Sequence, residues 1–134
     1  MLNSLTAWSL LTIVAGGVAM TLSASAADKS PAKSVLRHVV IVKFKTDANQ
    51  EQVQEVVDAF RALPSKIDAI QGFEYGTDNS PEMKAAGFTH CFLLTFADEK
   101  GRDVYLPHPA HEEFKKLAGP RFEKVLVVDY WTKK

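Results

Sequence analysis

The 134-residue chain balances 16 Lys and Arg against 16 Asp and Glu, and 46% of its residues are hydrophobic. This length allows a single domain, and the lack of a basic excess excludes the electrostatic footprint of a nucleic-acid-binding protein. An ordinary apolar fraction with eight Phe excludes a disordered chain, and the single Cys excludes an intrachain disulfide.

The first 27 residues differ in composition from the rest of the chain. No charged side chain precedes Asp28, and an apolar run of 16 residues extends over 7–22. The small-residue sequence Ala24-Ser25-Ala26 is typical of a signal-peptidase site, so residues 1–27 are predicted to be a signal peptide. An uncleaved membrane anchor is the alternative, because the run lies just below the length of a bilayer span. Residues 28–34 read as a polar linker. The domain at 35–134 is therefore expected outside the cytoplasm, periplasmic or secreted, with membrane contact only if cleavage fails.

The first half of this domain predicts a strand, a helix and a second strand. Alternating β-branched residues over 35–45 predict a strand, and residues 46–49 supply N-cap candidates for the helix that follows. Pro64 closes that helix. Its apolar face consists of residues at helical spacing: Val53, Val56, Val57, Phe60 and Leu63. A Gly-containing strand is predicted over 70–77.

The second half predicts two further strands and a broken helix. Residues 80–87 suit one helical turn that ends on a C-capping Gly87, and residues 88–97 form a third strand. Helical pieces are expected over 98–106 and 111–117, with a break at Pro107 and Pro109. A last strand covers 123–131. The order βαββαβ predicts an α+β fold of the ferredoxin-like type with a four-stranded antiparallel sheet.

Both faces of three predicted strands are apolar. Val39 and Ile41 oppose Val40 and Val42 on the first strand, and the third and fourth strands repeat this pattern. Two helices cover only one face of a sheet, and monomers rarely expose a large contiguous apolar surface. No residues remain in the chain to cover the second face. The pattern therefore predicts a homodimer that pairs through the sheet face, sheet against sheet.

The chemistry-bearing residues cluster in the segment from Tyr105 to Phe114. His108 and His111 lie three residues apart where the helix breaks and restarts. A buried His111 is a candidate general base or acid, and Tyr105 is a candidate hydrogen-bond donor to a substrate oxygen. The alternative is structural: His108 caps backbone groups, and His111 packs in the core with one hydrogen bond satisfied.

A zinc site is a third interpretation of the histidines. His108 and His111 suit one zinc ion, with His38 or His90 as a further ligand. However, His38 opens the first strand and His90 opens the third, and antiparallel neighbours place the starts of two strands at opposite ends. We therefore expect no metal and no cofactor. Cys91 reads as a small buried hydrophobe.

Residues 36–130 resemble the stress-responsive A/B barrel (Dabb) family of dimeric α+β barrel proteins. The resemblance is carried by sequence elements in four places: Arg37-His38-Val39-Val40 with Lys43-Phe44, Gly87-Phe88-Thr89-His90, Tyr105 with His108-Pro109-Ala110-His111 and Phe114, and Val128-Asp129-Tyr130. It implies a ferredoxin-like protomer whose sheet pairs with that of a twin. This agrees with the two-faced strands.

The resemblance also implies site residues. The plant polyketide cyclase of this family performs an intramolecular aldol condensation, and its catalytic His and Tyr match His111 and Tyr105. Its supporting histidines match His38 and His90. His38, His90 and His108 are the expected ligand-binding residues.

Two functional hypotheses follow. The first is an exported, homodimeric barrel that binds a small apolar, aromatic or carbonyl ligand without catalysis. The second is a cofactor-independent acid–base enzyme with His111 as base and Tyr105 as hydrogen-bond donor, either cyclase-like or, by fold analogy, a cofactor-free monooxygenase. A modest pocket is expected beneath Tyr105 and His111. A cavity of roughly 300 Å³ or more there favours a binder or an enzyme, whereas an interior filled by side chains favours a structural role.

Overall fold

Four strands and three α-helices make up residues 33–133, the part of the chain that the computed structural model describes. The elements follow one another in this order: β1 (Leu36–Phe44), α1 (Gln50–Arg61), β2 (Gly72–Thr77), β3 (His90–Phe96), α2 (Glu99–Tyr105), α3 (Pro109–Ala118) and β4 (Phe122–Trp131). This order confirms the predicted α+β fold, with α2 and α3 as the two pieces of the broken helix. The predicted signal peptide and most of the predicted linker lie outside the described residues.

The strands form one antiparallel sheet in the order β2-β3-β1-β4. β1 lies between β3 and β4, so its residues have neighbours on both sides. His38 of β1 is opposite Leu94 of β3 and Asp129 of β4. β4 is an edge strand, and its register against β1 determines which of its side chains reach the site.

Helix α1 begins at a predicted N-cap and ends at Arg61, three residues before Pro64, which lies with Leu63 in a short 3₁₀ turn. Asn49 caps its first turn: its side chain accepts from the backbone N–H of Gln52, whose side chain accepts from the backbone N–H of Asn49. The apolar face buries Val56, Val57 and Phe60. The helix therefore packs on the sheet through the periodic residues that predicted it.

The predicted helical turn over residues 80–87 is wrong. The segment consists of turns, and Met83, Ala86 and Gly87 have φ angles of 56°, 51° and 83°. Left-handed residues in this segment prevent the repeating hydrogen bonds of a helix. Gly87 does take the left-handed conformation expected of it. A Cβ there would also lie 2.8 Å from Cε of Lys43.

The helices and one face of the sheet enclose the core. Phe92, Leu94 and Phe96 of β3 and Val42 of β1 are buried in one hydrophobic cluster with residues of α1. Phe60 of α1 lies 4.4 Å, between ring centroids, from Phe92 and from Phe114 of α3. These rings connect α1 and α3 to the sheet.

The other face of the sheet remains apolar and carries no helix within residues 33–133. Val39, Ile41 and Leu93 are only partly buried there, and Leu126 and Val128 of β4 are 47% and 46% exposed. The predicted two-faced strands are thus present, and we call this surface the open face. Within the same residues, no helix is both long and apolar enough to cross a membrane.

Candidate functional site

A cavity of about 410 Å³ lies between the sheet and helices α2 and α3. Its volume falls within the range of small-molecule sites. The pocket expected beneath Tyr105 and His111 is therefore present. Its polar lining residues are His38, Tyr105, His111 and Lys115, and its apolar lining is formed by Val40, Phe60, Leu106, Phe114, Phe122, Val125 and Val127.

His38 enters the cavity from β1 with a fixed ring orientation. It is 5% exposed, and its Nδ1 lies 2.6 Å from Oδ1 of Asp129 on the neighbouring strand. A carboxylate accepts hydrogen bonds, so Nδ1 carries a proton, and in the neutral form of the ring Nε2 has a free lone pair. The ring also meets that of Tyr105 edge-on at 5.6 Å.

His111 enters from the first turn of α3 with the same tautomer. Its Nδ1 donates to the backbone carbonyl of Leu106 at 2.9 Å, because a carbonyl oxygen only accepts. Burial lowers the pKa of His111 below its ordinary value of 6.5, and the bond to Leu106 opposes this shift. His111 is therefore neutral at pH 7, and its Nε2 is a base.

Tyr105, the last residue of α2, lies between the two histidines. It is 1% exposed, its ring stacks on that of His111 at 4.2 Å, and burial raises its pKa. The phenol is thus protonated at pH 7 and is a hydrogen-bond donor.

Three polar atoms remain available to a ligand: Nε2 of His38, Nε2 of His111 and the hydroxyl of Tyr105. None of them has a hydrogen-bond partner within residues 33–133. In that part of the chain no fully buried side-chain nitrogen or oxygen lacks a partner. The three atoms are therefore not sealed in the core, and they are accessible from the cavity that their residues line.

His108 has the structural role that the sequence analysis gave as the alternative: it caps backbone groups. It is the N-cap of α3, and its Nδ1 accepts from the backbone N–H of Ala110 at 3.2 Å, ahead of Pro109 in the first turn. It does not line the cavity. The predicted capping is confirmed, and contact of His108 with a ligand stays a prediction.

His90 lies away from the other histidines. It pairs with Val42, four residues from His38 along β1, which corresponds to roughly 13 Å. There its Nδ1 is 2.9 Å from the Thr89 hydroxyl, and it lines a separate cavity of about 430 Å³. The structure does not bring the expected supporting residue His90 to the site of His38, Tyr105 and His111. Residues 33–133 also contain no group of three or more potential metal ligands.

Sequence reasoning missed Asp129 and Arg102. Asp129 accepts from His38 through one carboxylate oxygen and from Nη1 of Arg102, at 3.0 Å, through the other. The sequence signals for Asp129 were its charge inside an apolar strand and its place in the Val128-Asp129-Tyr130 element of the family resemblance. Cys91, predicted to be buried, is exposed on the open face.

Comparison with known proteins places the chain in a family. Residues 36–132 match the Stress responsive A/B Barrel Domain. The chain is 34% identical to the stress-response A/B barrel domain-containing protein HS1 of Arabidopsis thaliana, over 74% of this chain and 91% of that protein. It is 29% identical to olivetolic acid cyclase of Cannabis sativa, over 74% and 98%.

Solved structures share this fold. The hydroxynitrile lyase of Passiflora edulis superimposes with a TM-score of 0.71 at 26% identity, over 76% of this chain and 96% of that one. A dimeric protein from Bacteroides fragilis with a ferredoxin-like fold gives 0.60 at 25% identity, over 73% and 96%. The chain therefore belongs to the stress-responsive A/B barrel (Dabb) domain family.

Proposed function

We propose that the cavity binds a small, uncharged carbonyl compound in its enol or phenol form. One observation carries this proposal: two imidazole lone pairs, on Nε2 of His38 and of His111, share an otherwise apolar cavity with one phenol donor, Tyr105. A complementary ligand presents O–H or acidic C–H groups to the imidazoles and a carbonyl oxygen to the phenol. An enolised β-diketone does both.

The charges of the lining favour a neutral ligand. Lys115 is the only lysine or arginine in the cavity lining, and its Nζ is 2.6 Å from Oε1 of Glu112. Glu112 offsets the positive charge of Lys115 beside the cavity, so the lining has little excess positive charge to attract a carboxylate. The apolar remainder of the wall suits an aromatic or alkyl substituent. The names of two relatives, a cyclase and a hydroxynitrile lyase, are consistent with ligands of this size and polarity.

Calorimetric titration with benzoylacetone, an enolised aromatic β-diketone, tests the proposal. We expect saturable binding, no binding of butylbenzene, and weaker binding of benzoylacetone to Tyr105→Phe. Tyr75→Phe is the matched control, because Tyr75 is an exposed residue of β2 outside the cavity. Equal affinity for both compounds contradicts the proposal, since it shows that the polar atoms take no part.

Acid–base catalysis at the same site is the second candidate function. It is favoured by the neutral His111, whose free Nε2 shares the cavity with a protonated Tyr105. In this step the C–H bond beside the carbonyl breaks, the proton moves to Nε2 of His111, and the electron pair forms an enolate. The Tyr105 hydroxyl donates to the enolate oxygen as its charge develops. Incorporation of deuterium from D₂O into an aryl ketone, followed by NMR, measures this step directly.

The assembly proposed here is a homodimer that joins two open faces. Its support is the apolar surface described above and the dimeric state of neighbours with the same fold. A second copy removes this surface from water without another partner. Light scattering after size-exclusion chromatography gives the mass in solution.

We also propose export, on the strength of the apolar segment and the Ala24-Ser25-Ala26 sequence. Mass spectrometry of the protein recovered from the host's extracytoplasmic fraction tests it. A new N-terminus near Ala27 is expected. The intact chain in the membrane fraction points instead to an anchor.

A further inference from the structure

Arg102 lies outside the cavity lining but is connected to it through one carboxylate. Its Nη1 donates to Oδ2 of Asp129 at 3.0 Å, while Oδ1 of the same carboxylate accepts from His38 at 2.6 Å. Each oxygen of Asp129 thus has one donor, and the donors come from α2 and β1. We propose that Arg102 is a positioning residue that acts through Asp129 to keep the proton of His38 on Nδ1 and its Nε2 lone pair in the cavity.

The position of Asp129 explains why such a residue is needed. Asp129 lies on the edge strand β4, and its own side chain is 27% exposed, so water is available to its carboxylate. A charge-assisted hydrogen bond from Arg102 opposes rotation of the carboxylate towards that water. The side chains of Arg102 and Asp129 are 23% and 27% exposed, so the pair is partly shielded.

Helix α2 holds the guanidinium in place. Arg102 precedes Tyr105 by three residues, and residues at this spacing share a helix face. The face that brings the phenol to the cavity therefore also brings Arg102 to Asp129. The remaining edge of the guanidinium donates to Asp103, with Nη2 at 3.1 Å from the carboxylate. Arg102 thus has carboxylate partners on two sides.

Without Arg102, the preference of His38 for a proton on Nδ1 alone can be lost in two ways. The Asp129 carboxylate rotates into solvent and the imidazole takes either tautomer, or the carboxylate, no longer shared with a cation, stabilises the doubly protonated ring. In both cases Nε2 carries a proton in part of the molecules and stops accepting. The consequence for a ligand rests on the proposed function, but the protonation of His38 is measured in the free protein.

The test is long-range ¹H–¹⁵N NMR of the histidine rings in the intact chain at pH 7.5. The wild type is expected to show an unprotonated Nε2 for His38 and for His111. Arg102→Gln should lose part or all of this signal for His38 and retain it for His111, whose proton is held by the Leu106 carbonyl. Arg102→Lys, which keeps a charged donor, should restore it.

Arg61→Gln is the matched control, because it removes an ion pair with Asp58 at 3.2 Å on the exposed side of α1. It should change neither histidine. An unchanged His38 in Arg102→Gln overturns the proposal. A change that affects His38 and His111 alike also overturns it, because it reports a general loosening of the cavity. Arg102→Leu, which keeps the aliphatic stem, replaces the Gln variant if that variant does not fold. If the tautomer shifts as expected but benzoylacetone does not bind, the proposed function fails and this inference stands.

Discussion

Replacement of His111 by Phe separates the contribution of the aromatic ring from that of its two nitrogens. Phe keeps the aromatic ring that stacks on Tyr105 at 4.2 Å, and it removes the Nδ1 bond of 2.9 Å to the Leu106 carbonyl. Leu106 is 42% exposed, so water can reach this part of the chain. The loss of one hydrogen bond then costs about 1 kcal/mol of unfolding free energy. For a domain of this size that corresponds to a fall in Tm of roughly 4–8 °C.

The effect of the same variant on ligand binding comes from Nε2. Its lone pair is the acceptor proposed for the enol hydroxyl, and Phe offers none. One hydrogen bond of about 0.5–1.5 kcal/mol corresponds to a loss in affinity of roughly two- to thirteen-fold. Calorimetric titration with benzoylacetone at pH 7.5 measures it. Deuterium exchange of an aryl ketone in the variant should fall to the rate in buffer.

His90→Phe is the control, because it makes the same substitution in a second partly buried histidine that lines the other cavity. It should leave the affinity for benzoylacetone unchanged. Full affinity in His111→Phe would falsify the assignment of His111 to the ligand. A loss of affinity in His90→Phe would mean that His90 supports the ligand, as the family resemblance implies, and that the division into two cavities is mistaken.

Further predictions concern stability, pH and assembly. Phe60→Ala, at the meeting point of Phe92 and Phe114, should cost about 3–5 kcal/mol in chemical denaturation, and a cost under about 1 kcal/mol would contradict the packing described. Burial lowers the pKa values of His111 and His90, so the unfolded chain takes up protons first on acidification. The stability that their neutral forms contribute is therefore fully present above the ordinary pKa of about 6.5 and is lost as the pH falls through the folded-state values. Denaturant titrations across this pH range should show that the free energy of unfolding falls on acidification, and His111→Phe should reduce this fall. Val128→Lys on the open face should shift the mass measured by light scattering towards that of a monomer, whereas Val104→Lys on the exposed side of α2 should not; equal masses for both variants count against the open-face dimer.

The sequence determined the elements of this fold and much of their order. Strand β1 follows from the alternation of β-branched residues, and α1 follows from its helical spacing, the Asn49 cap and Pro64. The prolines around His108 separate α2 from α3, as predicted. These signals are strong because each depends on residues within a turn or two of one another. The turns over 80–87 were missed because left-handed Met83 and Ala86 have no such local signature.

The composition of the site was only partly readable from the sequence. Tyr105 and His111 lie close along the chain, and their spacing with the prolines pointed to a pocket. His38 joined them through the family resemblance, and its Asp129 partner was not anticipated. The resemblance also added His90, which the structure places at another cavity.

Only the tertiary structure decided which hydrogen bonds orient the residues of the site. His38 and Asp129 are 91 positions apart, and they meet because β4 pairs with β1 in one particular register. A shift of one residue would turn Asp129 to the open face and leave His38 without its carboxylate. Register depends on the packing of the whole sheet against its helices, which no local pattern in β4 specifies. The position of the His38 proton is therefore a property of the folded sheet, whereas the tautomer of His111 is set locally by the Leu106 carbonyl.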